Sequence, residues 1–324
     1  MDIFVSLALV AVGVALLGFG ADILVRGAVG LATLARISSA VIGLTIVAMG
    51  TSLPELTVGV TAALKGASDI GVGNIVGVNV FNVCVVLGVS AVIQPMRVHG
   101  NAVRLEWPFM FLGTFLLFLL ARDGWLDRVE GAFFVTALLL FTIYVVRIGR
   151  TEVRGEEERD LEELVHLKTF GDRLRRVRPA VGLIVGGILL LILGGEVLMR
   201  GALALARTAG LTERLIGLTV VAFGTGTPEV ATAIMAARRG QSELALGNVI
   251  GSNIVNILGI LGITALIAPL RLEPAAVSRD IPWMLGFSLV LLPIMRRHSV
   301  IDRNEGAVLL VAYLGYLGLL ALGY

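Results

Sequence analysis

Two ionisable side chains sit where the sequence is otherwise least able to carry charge. Glu55 lies in "GTSLPEL" at residues 50–56 and Glu229 in "GTGTPEV" at residues 224–230, each inside an apolar stretch. A carboxylate at the bilayer centre costs roughly 2.5–3.5 kcal/mol on insertion scales, so intramembrane acids usually mark ion pathways. Each glutamate follows a proline. Pro54 and Pro228 lack the N–H that would hold the carbonyl four residues earlier, that of Gly50 or Gly224, which predicts a broken helix with Gly50 and Gly224 adding flexibility. Broken helices at membrane depth are tolerated where the freed backbone lines a cavity or a protein interior. Freed carbonyls beside a carboxylate make a cation site. A pair of protonated, hydrogen-bonded glutamates serving only as packing is the plainer alternative, but a kink joined to a buried acid occurs twice.

A second block also occurs twice. "GNIVGVNVFN" at 73–82 matches "GNVIGSNIVN" at 247–256. Four-residue spacing puts Asn74, Val78 and Asn82 on one helix face, and Asn248, Ser252 and Asn256 on its counterpart. The glycines at 73, 77, 247 and 251 make small-residue strips that let another backbone approach. An asparagine oxygen coordinates a cation without adding charge. Asn74 and Asn248 also suit plain helix–helix hydrogen bonding. The two glutamates, Asn82, Asn256 and two freed carbonyls together offer up to eight oxygens, which suits the flexible shell of calcium better than the tight octahedron of magnesium. His99, His166 and His298 lie in or beside loops, so no cluster serves a softer metal. The chemistry points to calcium and sodium.

The elements that position these residues follow from composition. The chain has 324 residues, 57% hydrophobic and 15% charged, with mean hydropathy +0.93. Runs such as 111–120, 131–146 and 308–322 read as membrane helices, and no alternating β-barrel pattern is present. The fold class expected is an all-α polytopic membrane protein. The N-terminus has neither the charge nor the cleavage site of a signal peptide and reads as a retained helix. No basic patch with interleaved aromatics suggests nucleic acid. Cys84 is the only cysteine, which excludes an intrachain disulfide and fits a small apolar role. Trp107, Trp125 and Trp283 lie near the ends of apolar runs, where the membrane interface favours them.

Sliding the chain by 174 residues superposes 43–56 on 217–230 and 73–82 on 247–256, and Asp22 and Arg26 on Glu196 and Arg200. "LDRVEG" at 126–131 matches "IDRNEG" at 301–306 after one inserted residue. Each half divides into five apolar runs, in the first half 3–25, 37–63, 68–93, 104–121 and 128–147. An odd number of spans inserts the second copy upside down, an architecture of secondary transporters with the site at the midplane. The expectation is ten transmembrane helices in two inverted five-helix repeats: residues 1–147, a linker at 148–178, and residues 179–324.

With both termini outside, inward loops carry 18 Lys and Arg against 8 outside, which the positive-inside rule favours. Nine of the 18 come from 147–178; without them the balance is 9 to 8. The linker therefore reads as cytosolic, its basic end suited to anionic headgroups. A calcium-sensing role is the sharper reading, but the linker lacks the spaced ligands and turn glycine of a calcium loop.

At these motifs the chain resembles the cation/calcium exchanger superfamily, specifically the prokaryotic sodium/calcium exchangers, whose two repeats carry G-T-S-x-P-E and G-N-x-x-G-S-N-x-x-N/D. The strong match covers 43–88 and 217–262. The resemblance implies sodium-driven calcium exchange by alternating access in the cell membrane, with the first and sixth helices, here 3–25 and 179–205, sliding past a fixed core. By position it implies Glu55, Glu229, Thr51, Ser52, Thr225, Ser252, Asn82 and Asn256 as ligands, completed by backbone carbonyls near Ala48 and Ala222. Calcium and sodium are cargo, with no resident cofactor and no obligatory protein partner implied.

Three departures stand out. Gly226 and Val78 replace serines, and both Asn82 and Asn256 are amides where relatives often have one acid. Calcium keeps both carboxylates, so the expected effect falls on sodium: weaker binding, or fewer ions per calcium. Water could fill the gap beside Gly226, whereas Val78 blocks its own with apolar bulk. A calcium/proton or potassium-dependent antiporter is the nearest alternative, though the extra acid that proton-coupled relatives place in the G-N helix is missing. A channel needs a continuous pore rather than an inverted repeat, and no hydrolytic residue set lies within the spans.

Overall fold

A computed structural model describes residues 3–156, 170–209 and 222–322. The described chain is almost entirely helical. The helices are α1 (Ile3–Ala35), α2 (Ser39–Thr51), α3 (Leu53–Leu64), α4 (Ser68–Ile93), α5 (Ala102–Asp123), α6 (Arg128–Glu156), α7 (Phe170–Thr208), α8 (Ala222–Thr225), α9 (Thr227–Arg238), α10 (Ser242–Ile267), α11 (Ala276–His298) and α12 (Arg303–Leu322). Among the described residues seven helices are long and apolar enough to cross a membrane, or eight if the bent pair α2–α3 counts as one span. The linker expected at 148–178 is entered by α6 and left by α7, and its residues 157–169 lie outside the described residues.

Burial sorts these helices into a centre and a shell. In α4 and α10, 83% of the most apolar stretch is buried, against 22–33% in the other long spans. The two helices bearing the asparagine motifs are therefore the protein interior, and the shell helices turn leucine, valine and phenylalanine outward, as lipid requires. Wider π-helical turns interrupt α2 at Gly43–Val47, α4 at Asn82–Val86 and α10 at Val255–Leu261. Such turns recur at functional sites.

The outer pair α1 and α7 runs antiparallel along a ladder of glycines spaced by seven residues. A Cβ on Gly13 would stand 2.6 Å from the backbone of Leu198, and one on Gly187 2.7 Å from Leu24. Gly20 meets Leu190 and Leu191 as Gly194 meets Leu16 and Leu17; Gly27 meets Ala180 and Ile184 as Gly201 meets Ser6 and Val10. Every contact has a twin 174 residues away. Both helices outrun the expected segments 3–25 and 179–205, and in α1 the ladder continues past the expected end to Gly27.

Short strands tie the chain's two halves together. β1 (Met96–Arg97) pairs antiparallel with β4 (Val300–Ile301), and β2 (Trp125–Leu126) with β3 (Leu270–Arg271). Just after β2 and β4, the matched "LDRVEG" and "IDRNEG" segments are helix caps. Asp127 and Glu130 each accept the other's backbone N–H at 2.9 Å, and Asp302 and Glu305 do so at 2.9–3.0 Å. This reciprocal box satisfies donors that the first turns of α6 and α12 leave open. One interface expectation fails: Trp107 is buried, its indole N–H donating to the Ser288 carbonyl at 2.6 Å. A buried indole needs an acceptor, and α11 supplies it.

Candidate cation site

Proline places each glutamate. Leu53, Pro54 and Glu55 are the first three residues of α3, and Thr227, Pro228 and Glu229 the first three of α9. Proline is accommodated there because first-turn N–H groups have no partner in their own helix. The break falls at Ser52 and at Gly226, with α2 and α3 meeting at 46°. Both carboxyl groups are completely buried, and they are electrostatic neighbours although they come from opposite halves of the chain. Neither has a hydrogen-bond partner on either oxygen.

Gly50 and Gly224 both lie under side chains of α7. A Cβ on Gly50 would lie 2.3 Å from the Ile188 side chain, and one on Gly224 2.4 Å from that of Met199. Helix α7 thus lies over both motifs.

Two of the sequence-derived ligands stand beside a carboxylate. The Thr51 and Ser52 hydroxyls face Glu229, so the first half's hydroxyls serve the second half's acid. Ser52 Oγ, Thr225 Oγ1, Ser252 Oγ, Asn82 Oδ1 and Asn256 Oδ1 are all buried without a partner. Buried polar atoms are normally paired, so orphaned oxygens on the same motifs as two unpartnered acids mark a candidate cation site. Among the described residues no three His, Cys, Asp or Glu side chains come together. The candidate set is two acids plus neutral oxygens, which would suit hard cations.

The Ala48 carbonyl accepts the Ser52 N–H at 3.1 Å and the Thr51 hydroxyl at 3.4 Å. Ala222 opens α8, directly after residues 210–221, which lie outside the described residues. Proline does free the Gly224 carbonyl, but the Thr227 hydroxyl donates to it at 2.7 Å. The matching position in the first half is Leu53, which has no hydroxyl to do this.

Two asparagines that spacing did not single out orient two that it did. Asn82 Nδ2 donates to Asn253 Oδ1 at 3.1 Å, and Asn256 Nδ2 to Asn79 Oδ1 at 2.9 Å. Asn79 and Asn253 are in turn anchored on each other's backbone carbonyls at 3.3–3.4 Å. With their nitrogens engaged, Asn82 and Asn256 keep only oxygen for the site. Asn74 Nδ2 and both amide atoms of Asn248 are also buried without partners, outside this quartet.

Nor does space beside Gly226 remain for water. A Cβ there would stand 2.6 Å from Phe81 Cε1 and 2.7 Å from Cδ1, so a phenyl ring fills it.

Comparison with known proteins agrees with this arrangement. The family model described as sodium/calcium exchanger protein matches residues 5–147 and again 179–322. CaxA of Alkalimonas amylolytica is 38% identical over 313 residues, covering 95% of this chain and 96% of that protein. The sodium/calcium exchanger MaX1 of Methanosarcina acetivorans is 31% identical over 343 residues, covering 97% and 98%. The structure of the sodium-calcium exchanger NCX_Mj soaked with 10 mM sodium superposes with a TM-score of 0.82 at 28% identity, covering 98% of this chain and 99% of that one. With its all-helical membrane fold and two matched motif pairs, this chain belongs to the sodium/calcium exchanger family of cation antiporters.

Proposed function

We propose that this protein exchanges calcium for sodium by alternating access at the site between Glu55 and Glu229. The observation that carries the reading is the pair of buried, unpartnered carboxylates on motifs from both halves, whose other buried oxygens are orphaned as well. Calcium suits a flexible shell of about 6–8 oxygens. In this reading Glu55 and Glu229 supply charge. Ser52, Thr225, Ser252, Asn82 and Asn256 supply neutral oxygen, with Thr51 and the backbone near Ala48 and Ala222 closing the shell.

The framework proposed is ten spans in two inverted repeats, residues 1–147 and 179–324, joined by a cytosolic 148–178 segment, with both termini outside. The antiparallel twin contacts of α1 and α7 support it, as do the two strand pairs joining opposite halves. Single cysteines placed in 148–178 of a Cys84→Ala chain should label only from the cytosolic side. Labelling from outside reverses the topology.

Sodium-loaded liposomes containing the purified protein should take up calcium when diluted into sodium-free medium, and potassium-loaded ones should not. Uptake driven equally well by a proton gradient without sodium would assign the carboxylates to proton exchange instead. Uptake proportional to calcium without saturation would indicate a channel.

A further inference from the structure

The two carboxylates have unequal surroundings. Helix α10 packs along α2, and there Ser252 and Ser52 carry unpartnered buried hydroxyls, with Ser52 and Thr51 facing Glu229. Helix α4 packs against α8 in the equivalent place in the other half. There the residues matching Ser252 and Ser52 are Val78 and Gly226. Phe81, one turn beyond Val78, presses its ring into the space above Gly226. Its counterpart in the second half is the smaller Val255. Phe81 is 1% exposed and stacks edge-on against Tyr313 at 5.9 Å, so the ring is held in place. On α8 in this half, Thr225 keeps an unpartnered hydroxyl.

We propose that Phe81, with Val78 and Gly226, replaces one monovalent-cation subsite by an apolar wall, so that two sodium ions, and no more, exchange for each calcium. This rests on the sodium/calcium exchange reading above. The charge argument is direct. Two carboxylates are neutralised by one calcium or by two sodium ions. A further sodium would need a subsite built from neutral oxygens, because the site holds no third acid among the described residues. A singly charged ion depends on the number and field strength of such oxygens. The wall removes two hydroxyls, and its apolar surface does not hold the water that could replace them. Exchange of two sodium ions for one calcium moves no net charge.

The test is the voltage dependence of sodium-driven calcium uptake in liposomes whose potential is clamped with potassium and valinomycin. One net charge per cycle would change the equilibrium calcium gradient roughly 50-fold for a step of about 100 mV. Wild-type protein is expected to show no shift. A 50-fold shift in the wild type overturns the inference while leaving sodium/calcium exchange intact. Absence of any sodium-driven uptake overturns the exchange reading itself. The variant Val78→Ser/Phe81→Val/Gly226→Ser gives the first-half wall the residue types of its counterpart and should acquire voltage dependence. Val78→Ser/Gly226→Ser without the Phe81 change leaves the ring where the new serine must go and should not. Equal voltage responses in the triple variant and a folded wild type would also defeat the proposal.

Discussion

Asp22 of α1 is ion-paired with Arg239 at the far end of α9, joining an outer helix to the opposite half of the chain. The carboxylate also holds Arg26 at 2.7 Å. The matching acid, Glu196 of α7, pairs only with Arg200 of its own helix, and Lys65, the counterpart of Arg239, joins no ion pair among the described residues. Packing follows the same asymmetry, with α1 lying along α9 and α7 scarcely touching α3. Under the alternating-access cycle proposed above, the opposite state is expected to exchange these roles and bring Glu196 to Lys65. Cysteine pairs at 22/239 and at 65/196, in a Cys84→Ala chain, should each cross-link and each halt transport, trapping opposite sides of access. If only the 22/239 pair ever cross-links during turnover, the exchange of roles is wrong. Asp22→Asn alone should move the balance of states by roughly 1.5–5-fold, since such partly exposed pairs contribute about 0.2–1 kcal/mol.

Glu55→Gln and Glu229→Gln should each lower calcium flux by roughly 100-fold or more while the protein stays folded, because calcium affinity follows ligand charge. Each removes half the negative charge of a shared site without changing side-chain shape. Calcium flux near the wild-type rate in either purified, monodisperse variant would remove that glutamate from the site.

The asparagine quartet gives a subtler expectation. Asn79→Ala removes the acceptor that fixes the Asn256 amide, letting its nitrogen turn toward the site. Loss of such an outer partner typically costs about 10–100-fold in metal affinity. Calcium concentration at half-maximal uptake should rise by that order, and Asn253→Ala should act equally through Asn82. An unchanged calcium dependence in both variants would show that the amides orient themselves.

Gly20→Val and Gly194→Val should destabilise the α1–α7 pair by about 1–3 kcal/mol, the usual range for overpacking. Gly18→Ala is the control, since nothing lies within 4 Å of its added methyl. Thermal unfolding in detergent should separate the two classes. Similar midpoints for all three variants would mean that the helices part easily.

The two buried acids were legible in the sequence because proline and glutamate are conspicuous in an apolar run, and the repeat made each motif vouch for the other. The glycine ladder was equally open to view: positions 13, 20 and 27 recur at 187, 194 and 201. Attention to composition alone reads them as merely glycine-rich. Other features depend on distant partners. Nothing in "GNIVGVNVFN" says that Phe81 will meet Gly226, and the helix spacing that picks Asn82 passes over Asn79, whose role exists only across the interface with α10. Thr227 was hidden for the opposite reason, its bond to the Gly224 carbonyl being local but its position being leucine in the other copy. The π-helical turns carry no residue signature here.

The ladder between α1 and α7 also speaks to how such a molecule can be assembled. Because Gly13 meets Leu198 as Gly187 meets Leu24, and so on along both helices, the surface is nearly self-complementary: either helix could stand in for its partner. A surface of that kind is what joins two identical subunits about a twofold axis. Each half of this chain thus presents one side of a nearly self-complementary surface. With Lys and Arg split 9 to 8 outside 147–178, little beyond that segment tells a half which way to insert. If the halves insert oppositely, as proposed, fusing two such copies through a basic connector would turn a pair indifferent to orientation into one chain with a fixed inside and outside. It also frees the copies to diverge, as Phe81 and Val255 have done.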